Sequence, residues 1–275
     1  MHSGESLEVS GTRDRPVLVD ARQIGAGMYV CRGFVEGKNG GQWQIAEGFL
    51  WGTDLGTEKG GVFVSGSAGA ELDRCPGESR QQSRVRIRRS RWTAYDRSTW
   101  ETVDKPDTSA ADCCRVLALN HSVGILRERA TAELAEWAQL DARQDAKVII
   151  DVRPYYGTVS ARHHTSVRAL GLGHRFTAEL FDTARASIDV GDDGVSVNCH
   201  DQSTLAHVSG RVTVQTFDAS SADVTTGATV TAHGASRVTA RGKAKITLAS
   251  DFTGELVEVG DQLTVRDLRR AIASR

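Results

Sequence analysis

The sequence predicts a mainly β chain: a C-terminal β-solenoid with a smaller α+β N-terminal domain and a C-terminal capping helix. Three observations lead there. Between Gly227 and Ser250 the chain superimposes on itself at a shift of eight residues. Val230, Val238 and Ile246 share one slot, and Ala232, Ala240 and Leu248 share the next slot but one. Thr231, Thr239 and Thr247 lie between them, and Gly234, Gly242 and Ser250 close each unit. Apolar residues two apart fall on one face of a strand, a small residue lets the chain turn, and a short fixed period marks a stacked architecture. Second, composition breaks near residue 157. All four prolines (16, 76, 106, 154) and all five tryptophans (43, 51, 92, 100, 137) precede it, as do the four tyrosines (29, 95, 155, 156). A long Pro-free stretch suits uninterrupted ladders, because Pro removes a backbone donor. Third, the inward slots of the octads are small, which suits a narrow coil interior.

Residues 1–147 form the expected N-terminal domain. Arg15–Asp20, Met28–Cys31, Gly61–Ser65 and Arg84–Ile87 read as strands among Gly-rich loops. Ser122–Asp145 reads as a helix, since Val123, Leu126, Ala130, Leu134 and Trp137 recur at spacings of three and four and make one apolar stripe. Residues 148–262 form the expected solenoid. Its looser repeats are Val148–Val152, Thr158–Ala161, Ser166–Leu170, Phe176–Leu180, Ala186–Val190, Val195–Val197, Leu205–Val208, Val212–Val214 and Ala222–Val224, with Leu256–Val259 after the octads. The rung would hold two octads or three. Residues 263–275 read as a capping helix, with Leu268 and Ile272 on one face and Arg269, Arg270 and Arg275 near its end. An open coil end needs such a cover.

The runs Gly227–Ser250, Ser187–Val190 and Ser209–Val214 resemble the octad-repeat family, of the type Ala-x-Val-x-Ala-x-Gly/Ser, found in actinobacterial and phage-encoded proteins. The resemblance implies an extended, non-enzymatic surface and a phage or prophage setting.

A formal net charge of −1 gives no global field for nucleic acid or an anionic membrane. No run approaches the roughly 20 apolar residues of a membrane span. Met1-His-Ser-Gly-Glu-Ser6 lacks the basic-then-apolar layout of a secretory signal. Synthesis in a reducing cytoplasm is expected, and a virion part assembled in a host cell fits the same features. The five cysteines (31, 75, 113, 114, 199) form no metal spacing, and no cofactor is implied.

Several residues invite chemistry. Gly191-Asp-Asp-Gly194 resembles the Gly-Asp-Asp segment of right-handed β-helix polygalacturonases, which implies a paired-carboxylate acid and base from Asp192, Asp193 and either Asp189 or Asp201. The family's Gly-His-Gly loop and Arg-Ile-Lys are missing downstream, and Gly-Asp-Asp-Gly is equally good turn chemistry. Cys199-His200-Asp201 with His207, and His163-His164, invite a metal, but adjacent strand residues point to opposite faces. Arg84, Arg86, Arg88 and Arg91 with Trp92, Tyr95 and Trp100 have the composition of a backbone-tracking, base-stacking surface. An ordinary charged edge strand has it too. Thr229, Thr231, Thr239 and Thr247 suggest a flat hydroxyl face of the ice-binding kind, interrupted where Arg237 and Lys245 take the slot of Thr229. The expected function is therefore non-enzymatic: a structural or adhesive protein that presents a β-solenoid surface to a protein or glycan partner and self-associates. The rivals are a carbohydrate-active β-helix enzyme and a nucleic-acid-binding module.

Overall fold

The computed structural model describes residues 6–24, 28–56, 61–88, 91–94, 99–103, 107–110, 115–118, 122–150, 155–191, 194–260 and 262–269. Contacts group the chain into two compact units, Met1–Ala132 and Glu133–Arg275, dividing it upstream of the composition break.

The second unit is a β-solenoid with two strands to a rung. Every strand pairs in parallel with the strand two places further along the chain. One sheet, here the first, stacks Glu136–Ala142, Tyr155–Ala161, Arg175–Leu180, Val195–Cys199, Val212–Thr216, Thr229–Ala232, Lys245–Leu248 and Thr264–Asp267. The second stacks Lys147–Ile150, Ser166–Gly171, Arg185–Val190, Thr204–Ser209, Ser221–Val224, Arg237–Arg241 and Glu255–Val259. Thr213 pairs with Thr229 and Thr229 with Lys245, each 16 residues on, so a rung is two octads. Consecutive octads therefore belong to opposite sheets. Upstream the rung lengthens to 19, as in Trp137 with Tyr156, and the repeat drifts while the pairing persists. Inward slots hold Val, Ala, Ile and Leu, with Val214, Val230, Ala232, Val238 and Ala240 fully buried. Each such valine contributes about 2 kcal/mol of burial.

One corner of this coil is a stack of tight turns. In each, a backbone N–H closes back three residues, as Ala184 to Phe181, Ser203 to His200 and Ser220 to Phe217. The second turn residue has positive φ: Gln144, His163, Asp182, Asp201, Asp218 and Gly234 lie between 54° and 63°. Asp tolerates that region better than most residues, and here its carboxylate also works between rungs. Asp182 accepts the N–H of His163 at 3.1 Å, Asp201 that of Asp182 at 3.0 Å, and Asp218 that of Asp201 at 3.3 Å. Beside this carboxylate ladder runs a ring ladder. Arg162 lies over Phe181, and Phe181, His200, Phe217 and His233 stack at 4.8–4.9 Å with interplanar angles of 14° or less.

The first unit is built from β coils as well, in place of the expected α+β domain. Its one described α-helix is Ala21–Ile24, four residues long. Met28–Lys38 and Gln42–Thr53 are long strands that each turn a corner, and both glycines at the bend, Gly33 and Gly48, have positive φ (74° and 92°). A Cβ on Gly48 would stand 1.9 Å from the Gly33 carbonyl oxygen, so the rungs approach as closely as glycine permits. The interior is aromatic here: Tyr29 stacks on Trp43 at 4.4 Å, and the Trp43 indole N–H donates to the Gly40 carbonyl at 2.7 Å.

The expected helix at 122–145 is instead Ser122–Leu126, Thr131–Leu134 and Glu136–Ala142, all strands. Ala130, Ala132 and Leu134, then Ala138, Leu140 and Ala142, are buried with period two, whereas Val123 and Trp137 are 47% and 56% exposed. Helix-forming residues are overruled by pairing and burial in the coil. The expected capping helix begins as the strand Thr264–Asp267, and residues 270–275 lie outside the described residues. The last described rung is blunted by charge. Glu258 takes the register of inward Ala240, and Asp267 that of inward Leu248. Arg269 pairs with Asp267 at 2.8 Å and lies over Phe252. Charge turned inward at an edge opposes further strand addition.

Candidate functional site

The outward face of the first sheet in the second unit carries three rows of side chains running from rung to rung. The middle row is Gln139, Thr158, Thr177, Ser196, Thr213 and Thr229, followed by Lys245. From Gln139 to Thr229 it spans five rung steps, about 24 Å. Beside it run Asp141, Ser160, Glu179, Asn198, Gln215, Thr231 and Thr247. Both carboxylates in that row are engaged locally. Arg143 pairs with Asp141, while Asn198 and His200 meet Glu179 at 2.7 and 3.2 Å. Two rows thus present mainly hydroxyls and amides, and both carboxylates among them are hydrogen-bonded to neighbouring side chains.

The third row lies by the other corner and begins with Trp137 and Tyr156. Trp137 is the one exposed aromatic among the described residues. It stacks on Tyr156 with centroids 5.4 Å apart and planes 26° from parallel. Aromatic carbons touch at about 3.5–4.0 Å, so rings this far apart are slipped like shingles. Tyr156 pairs in register with Arg175. Gly194, Arg211, Gly227 and Lys243 lie in the connections just before the following strands, the two glycines with positive φ. A groove of about 380 Å³ opens between Arg211 and Lys243, lined also by Thr213, Thr229 and Lys245.

The residues singled out in the sequence fall elsewhere. Asp192 and Asp193 lie outside the described residues. Asp189 stands outward near the end of Arg185–Val190, where Ser209 donates to it, while Asp201 sits in the turn stack at the opposite corner. The paired-carboxylate reading turns on Asp192 and Asp193, so it lies outside the described residues. Cys199 is buried and His200 stands in the outward ring ladder, so the two diverge. Among the described residues no His, Cys, Asp and Glu cluster could hold a metal ion. His164 meets the Thr183 hydroxyl at 2.8 Å, and His207 is exposed at a bulge in the second sheet. Burial pushes the thiols of Cys31, Cys75 and Cys199 up to about 12, which keeps them neutral and unreactive.

In the first unit, Arg84, Arg86 and Arg88 alternate with buried Val85 and Ile87. Their register neighbours one rung back are Gly69, Glu71 and Asp73, with Arg86 and Glu71 at 3.8 Å. Trp92 is fully buried, its indole N–H on the Ser79 hydroxyl at 3.1 Å, so it is a core residue and no stacking platform. Trp100 shares register with Val85. The side chains of Arg91 and Trp100, and the whole of Tyr95, lie outside the described residues. The two-octad rung also reassigns the threonines. Thr229, Thr231 and Thr247 are on the first sheet, while Thr239 and Arg237 are on the second. Arg237 therefore does not interrupt the first-sheet face, and only Lys245 does.

Sequence reasoning missed the Trp137–Tyr156–Arg175 row, because Trp137 had been placed on a helix. The signal was a 19-residue spacing carried by three residues of different type. Among the described residues no helix is long and apolar enough to cross a membrane. Compared with protein-family models, curated proteins and solved structures, the chain matches none. What it can do is therefore argued from this β-solenoid alone.

Proposed function

We propose that the chain is a non-enzymatic adhesive protein that binds a glycan along the first-sheet face of its second unit. One observation carries the reading: two straight rows of hydroxyl and amide side chains lie beside an exposed tryptophan shingled on a tyrosine. Sugars offer the complement of both, with hydroxyls that donate and accept and ring C–H faces that pack on aromatic rings. A row about 24 Å long suits an elongated, repeating ligand better than a compact one. A phage or prophage particle component is the setting supplied by the octad resemblance.

The test is a polysaccharide and glycan array, with Trp137→Ala and Tyr156→Ala beside the parent chain. Retention of at least one glycan is expected, with tenfold or greater loss on Trp137→Ala. Trp137 is mostly exposed, so its replacement should leave the melting temperature within about 2 °C. If no glycan binds, or if binding is indifferent to both replacements, the reading is wrong.

A further inference from the structure

We propose that the glycan is a linear chain with equatorial linkages, of the β-1,4 kind, lying along the stack of rungs with one sugar to each rung. This rests on the glycan reading above and names the ligand of the same face. The middle row is the track. Gln139, Thr158, Thr177, Ser196, Thr213 and Thr229 follow one another through direct strand pairings, one residue to a rung, until Lys245 takes the slot. Equivalent atoms on neighbouring rungs stand about 4.8 Å apart, beyond hydrogen-bond reach, so a short hydroxyl does not satisfy its neighbour in the row. Among the described residues no hydrogen bond ties up any of these six side chains. The adjoining row shows the contrast, because its longer side chains bridge rungs: Asn198 donates to Glu179 at 2.7 Å.

The spacing then selects among glycans. A pyranose ring linked equatorially at both ends carries its chain straight on, and each sugar advances it by one ring length, close to the spacing of strands in a sheet. An axial linkage bends the chain, which coils and leaves the row after a sugar or two. A straight chain therefore brings a fresh set of hydroxyls to each rung, where the hydroxyl or amide of the track can donate to or accept from them. The aromatic pair fixes one end. Trp137 stands two residues before Gln139 on one strand, and Tyr156 two before Thr158 on the next, so the rings adjoin the first two rungs of the track. A sugar seated there meets ring carbon and hydroxyl together. Lys245 closes the other end with a cation where the earlier rungs carry neutral groups. Between these ends lies room for one sugar on each of the six neutral rungs.

The experiment measures binding of cellohexaose, chitohexaose and β-1,4-linked mannohexaose to the full chain, with maltohexaose as the α-linked control. At least one of the three β-linked chains should bind about tenfold tighter than maltohexaose, or better. For that sugar, affinity should climb from the disaccharide to the hexaose and then change less than about twofold on lengthening to eight. Thr158→Val and Thr213→Val each remove a hydroxyl and keep a good outward strand residue. Thr158→Val should weaken trisaccharide and hexaose alike, roughly fivefold, whereas Thr213→Val should weaken the hexaose by the same factor and spare the trisaccharide. Maltohexaose bound as tightly as the best β-linked chain, or affinity that levels off short of six sugars, overturns this inference and leaves the glycan reading standing. So does a trisaccharide weakened by Thr213→Val as much as the hexaose, or the absence of β-linked binding while the array retains another glycan. An array that retains no glycan overturns both.

Discussion

The two outward faces of the second unit are built from the same strands-per-rung pattern but handle charge differently. On the second sheet, Lys147, Arg168, Arg185, Arg237 and Arg241 are mixed with Asp189, Asp223 and Glu255. Opposite signs meet across adjacent rungs in Arg237–Glu255 and Arg241–Asp223. On the first sheet, the carboxylates Asp141 and Glu179 are bonded to their own neighbours, and the rows between are mainly hydroxyls and amides up to Lys245 and Arg266. Paired charge keeps a sheet wet and in register. Rows of hydroxyls and amides leave donors and acceptors that a sugar can meet. Both faces rest on one set of inward valines and alanines, so changes inside should destroy both and changes outside should separate them.

The largest effect should come from breaking that common interior. Val230 is fully buried between Val214 and Ile246 in register. Val230→Asp buries a charge without a partner and should cost at least about 4 kcal/mol, a large share of a typical domain's stability. Thr229→Asp, one residue away on the outward row, should stay within about 0.5 kcal/mol. Chemical denaturation of the two variants measures the contrast. Equal losses would mean that the alternation of faces is wrong.

Alkaline pH probes the interior from another direction. The thiols of Cys31, Cys75 and Cys199 rise from 9.0 to about 12 because burial penalises the thiolate. The folded state therefore holds these protons more tightly than the unfolded state does. The associated stability is complete below pH 9 and is lost as pH rises from 9 toward 12, at up to about 1.4 kcal/mol per pH unit for each thiol. Replacing Cys199 by Ala should flatten the pH dependence of the denaturation midpoint across that window. An unchanged slope would show that the thiol is accessible to water.

Next in size is the corner where the two sheets meet. Phe217 is stacked on both sides, by His200 at 4.9 Å and His233 at 4.9 Å. Phe217→Ala removes two ring contacts and should cost about 2 kcal/mol, while leaving glycan binding at the other corner unaltered. A joint loss of stability and binding would mean that the corners are coupled through the rung.

Much of this architecture is legible in the octads. Val230, Val238 and Ile246 do point inward, and the drifting copies upstream do pair as rungs. The distribution of outward residues between faces was hidden, because an eight-residue period leaves open whether Thr229 neighbours Arg237 or Lys245. Only the 16-residue pairing decides it. The helix expected at 122–145 shows a different failure. Arg127-Glu-Arg129 forms a turn with positive φ at Glu128 and no Gly or Pro to announce it, so Ala130 and Leu134 read equally well at helical spacing. The first unit hid its coils behind aromatics, since Trp43, Trp92 and Tyr29 fill interior slots that the second unit gives to Val and Ala.

The smallest effect expected is on the paired face. Arg237 and Glu255 stand in direct register at 3.2 Å, and both are about 60% exposed. Water screens such a pair, so Arg237→Ala, Glu255→Ala and the double replacement should differ by a coupling of only about 0.2–1 kcal/mol, falling further in salt. The same variants should bind on the glycan array as the parent does, because they lie on the opposite sheet from Trp137. A double-mutant cycle in denaturant gives the coupling, and the binding assay gives the separation. If Arg237→Ala weakened glycan binding as much as Trp137→Ala, binding would not belong to the first-sheet face, and the distinction between the two faces would fail at its most direct point.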